Sequence, residues 1–231
     1  MTRASIAARL SLRRRTPARP STPKGQPAAS RGIEQRVLSK GYKYVVGVDE
    51  SGRGPLAGPL VVAACYIPLH VTIKGIRDSK QLGDAKRERL FEELVANKEV
   101  HYAVHINSPD RIAQVNVTQA TFESMVKAID GLAVKADFAL IDGEALPPQL
   151  QIPCESVVKG DSKVHAIAAA SIIAKVTRDR LMMDYDKEFP DYNFAVHKGY
   201  MTSEHLAALQ AHGPSPIYRL SFAPVKNLRR R

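Results

Sequence analysis

Cysteine is nearly missing: Cys65 and Cys154 are the only two in 231 residues, and both lie in apolar, strand-like surroundings. That excludes a disulfide framework or a cysteine metal cluster and favours reduced thiols in a reducing compartment. Long hydrophobic runs are missing as well. The longest, residues 60–68, is of strand length, well short of the roughly 20 residues a membrane helix requires. No internal repeat occurs. Acid is absent from residues 1–33, which hold seven Arg and one Lys, and from 226–231, which hold one Lys and three Arg. The formal charge of +11 is therefore carried by the two ends, and between them 22 basic residues face 23 acidic ones. A near-neutral body gives no compositional sign of a nucleic-acid-binding face.

Residues 1–33 are rich in Arg, Ser, Ala and Pro. This is the composition of an organelle transit peptide, with a short basic amphipathic helix expected over 3–15. A disordered basic arm with affinity for nucleic acid, or an upstream extension of a bacterial enzyme, are the alternatives. The chain is expected to divide into this extension, one soluble domain over 34–225 that buries a single core, and a basic tail at 226–231.

What is present is acid in particular places. An apolar run at 44–48 ends in the pair Asp49-Glu50 and breaks at once into Ser51-Gly52-Arg53-Gly54-Pro55-Leu56-Ala57-Gly58-Pro59. A buried strand that ends in paired carboxylates and a glycine-rich turn suits a divalent cation held against a phosphate. The turn is not a dinucleotide fingerprint, because the third glycine is missing and an apolar strand follows where a helix would open.

The rest alternates strand and helix. Residues 44–49 and 60–67 read as paired strands, 101–106 as a third, 136–142 as a fourth, and 156–158 as a short extended piece. Helices are expected over 84–97, 117–132, 162–185 and 202–211, before a loop-like C-terminus. The 162–185 helix is rich in small residues such as Ala166, Ala169, Ala170 and Ala174 that permit close packing on a sheet. The class is α/β, a mixed sheet flanked by helices.

Two more acids repeat the arrangement at Asp49. Asp142 closes the run Phe138-Ala139-Leu140-Ile141 ahead of Gly143, and Asp161 stands where Lys159-Gly160-Asp161-Ser162-Lys163 enters the long helix. Singly, the first reads as an Asp-Gly turn and the second as a helix N-cap. With Asp49 and Glu50 they make four carboxylates at element ends. That is the number needed to hold two hard divalent ions with positions open for water and phosphate.

At these residues the chain resembles ribonuclease HII, the type 2 ribonuclease H family. The resemblance is carried by Gly47-Val48-Asp49-Glu50-Ser51-Gly52-Arg53-Gly54-Pro55, Arg77-Asp78-Ser79-Lys80, Leu140-Ile141-Asp142-Gly143 and Lys159-Gly160-Asp161-Ser162. It continues through Ala169-Ala170-Ser171, Thr177-Arg178-Asp179, His197-Lys198-Gly199-Tyr200 and Tyr218-Arg219-Leu220-Ser221-Phe222, in order. It implies a ribonuclease H-like fold with a helical C-terminal region, so that 34–225 is the catalytic domain. It also implies an endonuclease that cuts the RNA strand of RNA–DNA hybrids and incises 5′ of single ribonucleotides in duplex DNA, for ribonucleotide removal in repair and replication. Asp49, Glu50, Asp142 and Asp161 are then the catalytic and metal-binding residues, with Mg²⁺ or Mn²⁺ as cofactor and 3′-hydroxyl and 5′-phosphate products.

For the substrate, an RNA–DNA hybrid or a DNA duplex containing ribonucleotides, Gly52, Arg53 and Gly54 suit detection of a 2′-hydroxyl at backbone distance. Tyr200 matches the family tyrosine that packs on the sugar at the RNA–DNA junction. Lys159, Lys163 and Lys175 are candidates for the phosphate path. Ser51 stands where relatives often carry a small apolar residue, and Tyr218 where histidine is frequent; either position is a candidate for tuning rate or junction preference. No histidine pair has metal-ligand spacing, and His101 and His105 read as structural. The motifs resemble bacterial-type enzymes, which implies a monomer without membrane contact, in an organelle (mitochondrion or plastid) or in a bacterial cytoplasm. Two rival readings are another two-metal nuclease or phosphatase, and a silent hybrid-binding module. The second predicts a missing carboxylate, and none is missing.

Overall fold

The computed structural model describes residues 29–228; the transit-peptide expectation falls almost entirely on residues 1–28, outside them. In chain order the first elements are α1 (Gly32–Leu38), β1 (Val45–Ser51), β2 (Leu60–Tyr66), α2 (Asp84–Ala96), β3 (His101–Asn107), α3 (Pro109–Val115) and α4 (Val117–Asp130). There follow β4 (Phe138–Asp142), β5 (Cys154–Val157), α5 (Gly160–Lys163), α6 (His165–Glu188), α7 (Phe194–His197), α8 (Ser203–His212) and α9 (Ala223–Leu228). The strands form one sheet in the order β3-β2-β1-β4-β5. β1 is antiparallel to β2 and parallel to β4, which places it at the centre with both edges hydrogen-bonded.

Strand alternation divides the core into two layers. Val46 and Val48 of β1, with Val62 and Ala64 of β2, pack against Ala120, Met125 and Ala128 of α4. Val61, Ala63 and Cys65 of β2 face the other way, onto Ala169, Ala170 and Ile173 of α6. The small residues of α6 bring its backbone close to β1. A Cβ at Gly47 would lie 2.2 Å from backbone atoms of Ala166 and Ile167, so glycine is required there by proximity. A third cluster, including Leu56, Met182, Phe194, Leu209 and Tyr218, joins the C-terminal helices to the loop after β1. The two cysteines are free, Cys65 buried and Cys154 half-buried. Among the described residues no helix is long and apolar enough to cross a membrane.

The longer strands and helices follow the sequence pattern; the short helices α1, α3 and α7 were not expected, and two further departures concern the long helix and the C-terminus. The helix expected over 162–185 is broken at Val164, which is extended at φ −116° and ψ 124°. Ser30 causes the break by pairing there: its N–H donates to the Lys163 carbonyl at 3.0 Å, and its carbonyl accepts from His165 N–H at 3.1 Å. The C-terminus expected as loop carries α9, with Pro224 in its first turn, where the missing N–H leaves no helical bond unmade.

Candidate active site

β1 and β4 run parallel with Val48 opposite Ile141, so the next residues stand side by side: Asp142 as the last of β4 and Asp49 just past the stretch of β1 that pairs with β4. Asp161 arrives from α5. One carboxylate oxygen from each of the three lies within 4.8 Å of the others. The chain meets there because Asp142 Oδ1 accepts the Gly160 N–H at 2.6 Å and, more loosely, the Asp161 N–H at 3.4 Å. A Cβ at Gly160 would stand 2.6 Å from Ile167 Cδ1 and 3.2 Å from that oxygen, so the contact depends on glycine. Asp161 is therefore not the N-cap that its position suggested. Lys159 holds the cap position, in the left-handed region at φ 56°, and the Asp161 carboxylate is left for the site.

Asp49 is 3% exposed. Its Oδ1 accepts the Glu50 N–H at 2.7 Å, and it also bonds Ser171, whose hydroxyl meets that of Ser79 at 2.9 Å. Burial, then the charges of Glu50 and Asp142, push its carboxyl well above the usual range. Asp161 is raised by burial and by Asp142.

Glu50 is not one of the three whose oxygens converge. One residue along a strand reverses the face, so Glu50 points toward α4 and stands beside the triad. Its Oε1 lies 3.6 Å from Arg53 Nη1, and its Oε2 is buried with no partner. Burial raises it, Arg53 opposes the rise, and Asp142 adds to it. Three converging carboxylates, two of them, Asp49 and Asp161, pushed up by burial and neighbouring acids, and an orphaned carboxylate oxygen beside them, outnumber the cations Lys80 and Arg53 that face them. Oxygen-only donors suit a hard divalent cation. Asp49, Asp142 and Asp161 form a divalent-metal site.

Beside the triad opens a cleft of about 570 Å³ lined by Glu50, Gly52, Arg53, Gly54, Lys80, Lys175 and Tyr200, among others. Sequence reasoning assigned no role to three residues that shape it. Lys80 Nζ stands 3.4 Å from Asp161 Oδ2, presented by a 3₁₀ turn at Ser79–Gln81 whose Asp78 side chain accepts Lys80 N–H. Burial draws the Lys80 pKa down, but Asp49, Asp161 and Asp78 together raise it above the ordinary value. Arg178 and Arg219 are fully buried and hold the loop after β1. Arg219 donates to the carbonyls of Gly52 at 2.5 Å, Arg53 at 2.9 Å and Gly58 at 3.0 Å. Arg178 donates to those of Pro59, Ala57 and Lys198, and its guanidinium lies 5.5 Å from the Tyr200 ring centre. The sole sequence signal for all three was membership of the quoted motifs. Arg219→Lys keeps the charge but cannot span three carbonyls with one ammonium. It is expected to lower stability by about 2–4 kcal/mol, the worth of one or two charge-assisted bonds, measured by urea unfolding.

The predicted lysines separate. Lys175 lines the cleft while paired to Asp179 at 2.6 Å. Lys163 turns to the Val158 carbonyl at 2.6 Å, and Lys159 is exposed at the entry to α5. His105 is structural, within 3.1 Å of the Ser124 hydroxyl.

The family profile described as Ribonuclease HII matches residues 46–225. Ribonuclease HII of Desulfitobacterium hafniense is 48% identical over 193 residues, covering 84% of this chain and 74% of that protein. That of Chlamydia abortus is 46% identical over 196 residues, covering 85% and 92%. The crystal structure of ribonuclease H2 from Pyrococcus horikoshii OT3 matches at TM-score 0.70 and 28% identity, covering 82% of this chain and 98% of that one. A profile spanning the whole sheet and every carboxylate of the site, with relatives this similar over most of their length, means that the chain belongs to the ribonuclease HII family, endoribonucleases that cleave RNA in RNA–DNA hybrids.

Proposed function

We propose that this endoribonuclease of RNA–DNA hybrids also incises duplex DNA 5′ of a single embedded ribonucleotide, leaving 3′-hydroxyl and 5′-phosphate ends. Asp49, Glu50, Asp142 and Asp161 serve two Mg²⁺ or Mn²⁺ ions in this reading. The observation that carries it is the convergence of three carboxylate oxygens within 4.8 Å beside the partnerless Oε2 of Glu50. When bound, such ions supply an activated water and neutralise charge on the leaving oxygen. The protein's part is preorganisation: Asp49 and Asp142 follow directly on the paired stretch of two hydrogen-bonded strands, so their separation is set before substrate arrives. Glu50 reaches the same strand end from the opposite face.

Recognition of the 2′-hydroxyl falls to Gly52, Arg53 and Gly54. With two carbonyls of this turn bonded to Arg219, its peptide planes are preset. A Cβ at Gly54 would meet nothing within 4 Å, which leaves a sugar room to reach the backbone. Tyr200, 42% exposed with Arg178 against its ring, packs on the sugar at the junction. Lys159, Lys175 and Arg53 serve the phosphates. The enzyme acts as a monomer, checked by its sedimentation. Residues 1–33 direct it to an organelle, or else it is a bacterial cytoplasmic protein; the mature N-terminus distinguishes these.

The test is cleavage of a labelled duplex with one ribonucleotide, with Mg²⁺ or Mn²⁺, beside an all-DNA duplex and an Asp49→Asn variant. Metal-dependent incision on the 5′ side, absent from both controls, is the expected result. Incision of the all-DNA duplex would make it a general nuclease, and binding without incision a hybrid-binding module.

A further inference from the structure

Behind Tyr200 lies a buried pair of imidazoles. His197 and His205 stack with ring centres 4.2 Å apart and planes 14° from parallel. Both ring states follow from their backbone partners. His205 Nδ1 meets the Tyr200 carbonyl at 2.8 Å, and a carbonyl only accepts, so Nδ1 carries the proton. His205 is fully buried, and burial lowers its pKa to about 4, so at neutral pH Nε2 is bare. The Tyr218 hydroxyl, 2.7 Å from Nε2, must then be the donor. His197 is the complement: its Nδ1 accepts the Gly199 N–H at 3.1 Å, so Nε2–H donates to the Tyr192 carbonyl at 2.7 Å. The Lys198-Gly199-Tyr200 turn is thus held from both rings. It is tied to the recognition loop by Leu56 N–H donating to the Gly199 carbonyl at 2.9 Å.

We infer that His205 and Tyr218 are positioning residues for ribonucleotide recognition. The Tyr218 hydroxyl anchors the far nitrogen of His205, so that Nδ1–H is aimed at the Tyr200 carbonyl and fixes the Tyr200 backbone and so the place of the Tyr200 ring in the cleft. The inference rests on the reading of Tyr200 as the residue that meets the sugar. Tyr218 touches no substrate in this scheme. Without the Tyr218 hydroxyl, the His205 ring is held at one nitrogen only and can tilt, so the bond from Nδ1–H to the Tyr200 carbonyl loosens.

The test uses the full chain. Tyr218→Phe is expected to raise KM for the single-ribonucleotide duplex roughly fivefold, the effect of one lost neutral hydrogen bond, with kcat changed by less than about twofold. In ¹⁵N spectra, the His205 Nε2 resonance should shift as it loses its donor, while the ring keeps the Nδ1–H pattern. His205→Asn places an amide N–H where Nδ1–H stands and needs no help from Tyr218, so in that background Tyr218→Phe should leave KM unchanged. A Tyr218→Phe enzyme with wild-type KM, or with kcat falling as much as KM rises, would overturn the inference. So would an equal Tyr218→Phe effect in the His205→Asn background, which also decides the matter if the single variant folds poorly. Tyr200→Ala separates the two levels. If it raises KM while Tyr218→Phe does not, the positioning role fails and the Tyr200 reading stands; if Tyr200→Ala leaves KM unchanged, the Tyr200 reading fails and takes the inference with it.

Discussion

Asp142→Asn is expected to cut incision of a ribonucleotide-containing duplex by ~10³-fold, the scale on which one preorganised electrostatic stabiliser acts, while the fold survives. An amide oxygen in the same place still accepts the Gly160 N–H that Asp142 Oδ1 now meets at 2.6 Å. What the substitution removes is charge. Asp142 is a neighbour whose repulsion, after burial, raises Asp49, Glu50 and Asp161. Removing one negative charge therefore relieves the metal-free protein and weakens its hold on a cation. Thermal melting with and without Mg²⁺ separates the two effects. The metal-free variant should melt no lower than the wild type, and the rise that Mg²⁺ produces in the wild type should shrink. Incision at the wild-type rate would take Asp142 out of the site, and an unfolded variant would show that its charge, beyond its oxygen, holds α5.

Gly47→Val carries the second large effect, on stability. The nearest atoms to a new Cβ are backbone atoms of Ala166 and Ile167, 2.2 Å away, and backbone cannot rotate aside as a side chain does. β1 is bonded to β2 on one side and β4 on the other, so the strain must be relieved by lifting α6. Overpacking among side chains costs about 1–3 kcal/mol; against backbone the loss should exceed ~3 kcal/mol. Lifting α6 also draws Ser171 from Asp49, so incision should fall together with the urea midpoint. An unchanged midpoint would mean that α6 is free to shift and that its small residues are not needed for the approach.

Much of this was legible in the residues. Apolar runs and alternation located β1 to β4 within a residue or two; β1, β2 and β4 are buried along nearly their whole length, so a slip there would expose apolar residues. The break at Val164 was not legible, since its cause is Ser30, more than a hundred positions away. The short helices α1, α3 and α7 have too few turns to show a period. Asp49, Asp142 and Asp161 were found by their places at element ends, and what the residues did not show is that Glu50, next to Asp49 on the strand, approaches from the other face. Arg178 and Arg219 were missed for a different reason. Arginine ordinarily marks surface, and the partners that bury these two are carbonyl oxygens, which every residue possesses and no sequence pattern records.

The pairing of Ser30 at the joint between α5 and α6 limits how far the chain can be trimmed. A protease that removes residues 1–28 leaves the joint intact. One that cuts after residue 33 removes the three hydrogen bonds made by Ser30, along with the Arg31 side chain that donates to the carbonyls of Ile67, Pro68 and Val71. The α5 turn carrying Asp161 would then have lost its lateral support. Any shortening past Ala29 is thus coupled to the set of the metal site through Ser30, and a form trimmed beyond it is expected to have a looser centre than the full chain.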